Sequence, residues 1–148
     1  MNALLSKLFL LAVAAFLTGC ATAPGPPFTA LEPPGAGKGA IYVYRTERFF
    51  AAGQAFTVLI DKTKTGEIQN ASYLRRELAP GKYTLTIAPG GFAKYFEHPM
   101  TVEAGKTTFY DFDFNSGILA NAFFIGSEIV QREPGPAVEA LKTCKRAE

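Results

Sequence analysis

The chain has 148 residues, 48% hydrophobic and 19% charged, with 15 basic against 13 acidic residues and a formal net charge of +2. That length suits one domain with one core, and so even a charge balance gives no electrostatic footprint for nucleic acid. Two cysteines, Cys20 and Cys144, are too few for a disulfide framework.

The first twenty residues carry Lys7, an apolar run from Leu8 to Leu17, and then small residues. This is the layout of an export signal over residues 1–19. The run is shorter than the about 20 apolar residues a membrane-spanning helix needs, and Pro24, Gly25, Pro26 and Pro27 follow it. Leu17-Thr18-Gly19-Cys20 resembles the lipobox of bacterial lipoproteins. The resemblance implies cleavage before Cys20, acylation of that residue, and attachment to a membrane through the lipid. Several acyl chains, at about 0.8 kcal/mol per buried methylene, hold a protein durably where one holds it only marginally. Ala21 follows the cysteine, and the same resemblance implies the outer membrane, facing the periplasm, if the source is Gram-negative.

Residues 20–38 are rich in proline, glycine and alanine, with Phe28 and Leu31 the only large apolar side chains. They read as an extended tether leading to a domain over residues 39–148. Within it, β-branched and aromatic runs are separated by glycine, proline and asparagine, the rhythm of an antiparallel all-β sandwich. Seven strands are expected: Ala40 to Arg45, Ala55 to Asp61, Ser72 to Leu78, Lys82 to Ala88, Phe96 to Val102, Thr107 to Phe114 and Phe124 to Gln131.

Alternation assigns the faces. Phe56, Val58 and Ile60 oppose Thr57, and Tyr83, Leu85 and Ile87 oppose Thr84 and Thr86, so both trios are expected in the core. Thr108, Tyr110, Phe112 and Phe114 share one face, leaving Asp111 and Asp113 on the other, which is expected in water. Tyr42 and Tyr44 share a face opposite Ile41 and Val43; that face is either an exposed binding surface or buried beneath a helix, and the second reading is favoured. Ser72 to Leu78 is undecided, because Arg76 shares its parity with Leu74 and Leu78. Pro80-Gly81 is expected to form a type II turn with Gly81 at positive φ, with a similar stop at Glu103-Ala104-Gly105-Lys106. A short C-terminal helix from Ala137 to Lys145, started by Pro136, turns Val138 and Leu141 to the sheet.

Gly39 to Arg45, Val58-Leu59-Ile60-Asp61, Gly66-Glu67-Ile68, Tyr73 to Leu78 running into Pro80 to Leu85, and Val102 to Thr107 together resemble the uncharacterised DUF2846 lipoprotein family, and more loosely PEGA-type β-sandwich modules. The resemblance covers roughly residues 38 to 131. It implies a fold and carries no catalytic position to this chain.

Little here suggests chemistry. His98 is the only histidine and alternates with Phe96 and Met100, as expected of a residue at the core margin and unlike a zinc site with several ligands. Cys144 lies in the charged tail Lys142-Thr143-Cys144-Lys145-Arg146 and reads as a tolerated thiol. Asp111 and Asp113 could stand at a glycosidase-like separation, but no nucleophile or phosphate-cradling loop accompanies them. Gly90-Gly91 lacks the lysine and helix start of a nucleotide loop. The expected protein is therefore no enzyme and takes no cofactor or metal. It is a membrane-anchored envelope lipoprotein whose β-sandwich contacts an envelope protein or the cell wall; the alternative is a periplasmic carrier for a small apolar or sugar ligand. Residues 115–125 are unusually apolar for a loop. Ile118, Leu119, Phe123 and Phe124 form either a contact site or a cover over one end of the core, the latter favoured because a lone domain tolerates little exposed apolar area.

Overall fold

The computed structural model of the chain describes residues 23–49, 51–89, 95–113 and 127–148. Cys20, residues 1–22, Gly90-Gly91, Phe114 and the whole of 115–125, with Ile118, Leu119, Phe123 and Phe124, lie outside the described residues.

Among the described residues there are nine strands and one helix: β1 Gly39–Arg45, β2 Phe56–Ile60, β3 Thr63–Ile68, β4 Ser72–Leu78, β5 Gly81–Pro89, β6 Phe96–Val102, β7 Thr107–Asp113, β8 Glu128–Arg132, α1 Pro134–Leu141 and β9 Lys145–Arg146. They form a five-stranded sheet in the order β8-β7-β1-β4-β9 and a four-stranded sheet in the order β3-β2-β5-β6. Ile41, Val43, Leu74, Tyr110, Phe112 and Ile129 of the first meet Phe56, Val58, Ile68, Leu85, Ile87 and Met100 of the second in one core, as in a sandwich. The alternating trio of β2 and the pair Leu85 and Ile87 are buried as expected, while Tyr83 is only partly so.

The sandwich is not purely antiparallel. β1 runs parallel to β7 and β4 parallel to β9, because the chain crosses from one sheet to the other between these partners and returns in the same direction. β3 adds a strand beyond the seven expected. It pairs with β2 through a two-residue turn in which Asp61 and Lys62 both have positive φ, 47° and 67°, the geometry that matches strand twist. Gly81 starts β5 and does not have positive φ; the ring of Tyr83 stands where a Cβ on Gly81 would make contact. Glycines with the positive φ of a type II turn are Gly37 and Gly105, φ 71° and 75°, with the Lys38 amide donating to the Gly35 carbonyl at 3.0 Å and the Lys106 amide to the Glu103 carbonyl at 3.2 Å.

Both faces of the five-stranded sheet are covered, so every residue of β1 is buried, the expectation for a central strand between two layers. Tyr42, Tyr44, Tyr73 and Phe109 on the outer face pack against Phe28, Ala137, Leu141 and Cys144. The helix begins at Pro134, one turn earlier than expected, and buries Ala137 and Leu141 while Val138 is partly buried. Cys144, in the tail read from sequence as charged, is 1% exposed and packs with Ala137 and Leu141 of the helix.

The largest departure concerns residues 23–38. They are not a free tether. Ala23 is 3% exposed and Phe28 7%, and the segment runs antiparallel to the C-terminal strand with a bridge between Pro27 and Lys145. Gly25 donates to the Arg146 carbonyl at 3.1 Å, Arg146 to the Pro26 carbonyl at 2.8 Å, and Phe28 to the Cys144 carbonyl at 3.0 Å. Farther on, Glu32 pairs with Arg146 and Arg75, and its amide donates to the Tyr42 hydroxyl. Proline costs an edge strand nothing on the side it leaves unpaired, so a composition typical of linkers also serves a strand laid along a sheet edge. Among the described residues the packed unit thus takes in this segment, Ala23 and Phe28 included.

Candidate functional site

β6 and β8 are edge strands of the two sheets and lie next to each other across the sandwich. A cleft of about 390 Å³ opens there, lined by Pro99 and Thr101 of β6, Thr107 and Thr108 of β7, Gln131 and Arg132 of β8, and Glu103, Lys106 and Glu133 at the rim, among others. Its hydroxyl, amide and charged groups suit a polar ligand. The Lys106 ammonium is tied to Glu103 at 2.6 Å across the exposed β6–β7 turn.

Arg132 joins this cleft to a charged cluster on the outer face of the sheet. Its guanidinium lies 3.2 Å from the carboxylates of both Asp111 and Asp113, and Arg48 approaches Asp113 at 3.6 Å. The carboxylate of Asp111 was expected in water and is not: the residue is 8% exposed. Its outer face abuts Tyr44, the β1 residue directly across the parallel pairing, and an arginine on the neighbouring strand compensates the charge. Burial is the main reason that its pKa is raised; Asp113 adds to the rise and Arg132 opposes it. Burial, followed by Asp111, also holds the Tyr44 phenol above its ordinary value. A single guanidinium thus bridges the two carboxylates.

The remaining candidates do not converge on this cleft. His98 sits on β6 with its ring 5.5 Å from that of Tyr110, edge to face, the core-margin position expected of it. Cys144 is held under the helix with its sulfur 3.7 Å from the Arg45 carbonyl, and burial pushes its thiol up to about 11, so it is protonated at neutral pH and a poor nucleophile. Tyr42 and Tyr44 are buried beneath the outer layer. Arg45 is fully buried, stands 5.2 Å from the Phe56 ring centroid and donates to the Ala51 carbonyl at 3.0 Å; burial, with Arg48 nearby, pushes its pKa down to about 10. Sequence reasoning passed over Arg132 and Gln131. The only signal for them was a polar and a charged residue following Ile129 and Val130 at the end of the strand. Among the described residues no group of His, Cys, Asp or Glu is placed to hold a metal ion.

Fold and site together define a two-sheet β-sandwich domain with a polar edge cleft. The family model described as a protein of unknown function, DUF2846, matches residues 35–127, more than half of the chain, and the chain belongs to that family. No curated protein and no solved structure gives a significant match. The matched span contains β1 to β7 and leaves out β8, α1, β9 and residues 23–34.

Proposed function

We propose that this chain is a lipid-anchored protein of the bacterial cell envelope, cut before Cys20, acylated there, and carrying a non-catalytic β-sandwich that contacts another envelope protein or the cell wall. The observation that carries this reading is the sequence Leu17-Thr18-Gly19-Cys20 closing the apolar run from Leu8. Among the described residues no helix is long and apolar enough to cross a membrane; in this reading the lipid on Cys20 provides the attachment. With Ala21 after the cysteine, the outer membrane facing the periplasm is the proposed location in a Gram-negative cell. Growing cells with an alkyne-tagged fatty acid tests the anchor: label is expected on the wild-type protein and absent from Cys20→Ala, and equal labelling of the two would refute it.

The cleft supports a second reading, a carrier of small ligands. Thr101, Thr107, Thr108 and Gln131 on its walls favour a sugar over the apolar ligand also expected from sequence, because hydroxyl and amide groups would be left unpaired against hydrocarbon. A glycan panel screened for binding that is lost in Gln131→Ala tests it; binding that survives the substitution would place the sugar elsewhere.

A further inference from the structure

We infer that the acylated protein stands edge-on against the bilayer, with the paired terminal segments at the headgroups and the β6–β8 cleft turned away from the membrane. The inference rests on the proposed acylation of Cys20 and adds to it where the lipid surface meets the domain.

Only Ala21 and Thr22 separate Cys20 from Ala23. At 3.8 Å for each step between Cα atoms, Ala23 lies at most about 11 Å from Cys20. The headgroup region of one leaflet is roughly 5–7 Å thick, so most of that reach is spent inside it. A free tether over residues 20–38 would behave differently, with a typical end-to-end distance of about 24 Å and a larger maximum. Ala23 has no such freedom. It is buried, and the next residues are bonded to the C-terminal strand from Gly25 to Phe28. Adding a Cβ to Gly25 would collide with the carbonyl oxygen of Arg146, so the two segments lie in close main-chain contact.

The edge thus fixed to the membrane is the β9 edge of the five-stranded sheet, and β8 is its opposite edge. Four interstrand spacings separate them, about 19 Å at ~4.8 Å each. The cleft, with Gln131 and Arg132 on β8, is on the distant side, where a partner in the compartment reaches it without touching lipid.

The test uses the full-length, natively processed protein in vesicles of phosphatidylethanolamine and phosphatidylglycerol carrying a nitroxide on the headgroup. A fluorophore is attached after Pro24→Cys or Glu128→Cys, both exposed positions, while Cys144 is buried. Quenching is expected to be several-fold stronger at position 24 than at 128. Inserting a flexible Gly/Ser linker of about 15 residues between Thr22 and Ala23 is expected to erase that difference. Mass spectrometry of the N-terminal peptide accompanies each sample. Acylated protein quenched equally at the two sites overturns the orientation alone; an unacylated N-terminus overturns the anchor and the orientation together.

Discussion

Truncating Phe28 separates a packed segment from a tether more sharply than any other single change. The ring stands edge-to-face on Tyr73, with centroids 5.6 Å apart and planes at 87°, and on Tyr42 at 6.2 Å and 83°. Phe→Ala at a buried site costs about 3–5 kcal/mol, part of it the cavity left behind, and each aromatic pair contributes about 0.5–1.5 kcal/mol beyond area. The segment is peripheral and can peel away with its few main-chain hydrogen bonds, which caps the loss below the full core value. Phe28→Ala should therefore cost about 2–4 kcal/mol. For a domain of this size that is a fall of about 8–15 °C in Tm. Urea unfolding followed by circular dichroism gives the free energy, with an unchanged slope confirming that the denatured state is the same. Leu31→Ala is the control, since Leu31 is 41% exposed, and it should cost less than about 0.5 kcal/mol. If Phe28→Ala is as mild as Leu31→Ala, residues 23–38 are a tether and the packing argument fails.

Three further outcomes follow from the core and the charged cluster. Leu85→Ala should cost about 2–5 kcal/mol in the same urea experiment, since Leu85 is fully buried between the sheets; a change under about 0.5 kcal/mol would reverse its face. Arg132→Gln should raise the pKa of Asp111 further, because Arg132 is what opposes the effect of burial there. A carboxyl whose folded pKa lies above its unfolded value contributes stability that is present below the unfolded pKa and is lost as pH rises through the folded pKa. The variant should consequently lose more stability than the wild type between acid and neutral pH, read by an NMR titration of Asp111 beside unfolding curves at each pH. Cys144, raised from 9.0 to about 11, should be alkylated at pH 8 at least about 100-fold more slowly in the native protein than in urea, since two pKa units reduce the reactive thiolate by that factor; equal rates would place the thiol at the surface.

The strands that were legible in the sequence are those where one face is buried and the other is not. Phe56, Val58 and Ile60 alternate with Thr57, and the period of two fixes their side without knowledge of the partner. Asp111 misled for the same reason: alternation marks two faces, but the second face lies under another layer, and a buried carboxylate is made tolerable by Arg132, 21 residues away. The pairing of β1 with β7 is parallel and non-local, and nothing in either strand's own residues encodes it. β3 escaped notice because its turn uses Asp61-Lys62 in place of the Asn-Gly or Asp-Gly signal, and Thr63, Lys64 and Glu67 hide its period. Of the cleft, the threonines of β6 and β7 were readable as strand residues, whereas their meeting with Gln131 and Arg132 exists only once both sheets are assembled. Residues 23–38 show the limit most plainly, since Pro-Gly-Pro-Pro-Phe is equally a linker and an edge strand until the C-terminal segment is set beside it.

In the proposed anchor, Cys20 is the lipid-bearing first residue of the mature protein. Intact-mass spectrometry of the protein extracted from membranes tests it directly. The expected mass is that of residues 20–148 plus the acyl groups of a bacterial lipoprotein, with the whole added mass removed in a fragment containing Cys20; a retained signal segment, or an N-terminus at or near residue 20 with no added mass, would contradict it.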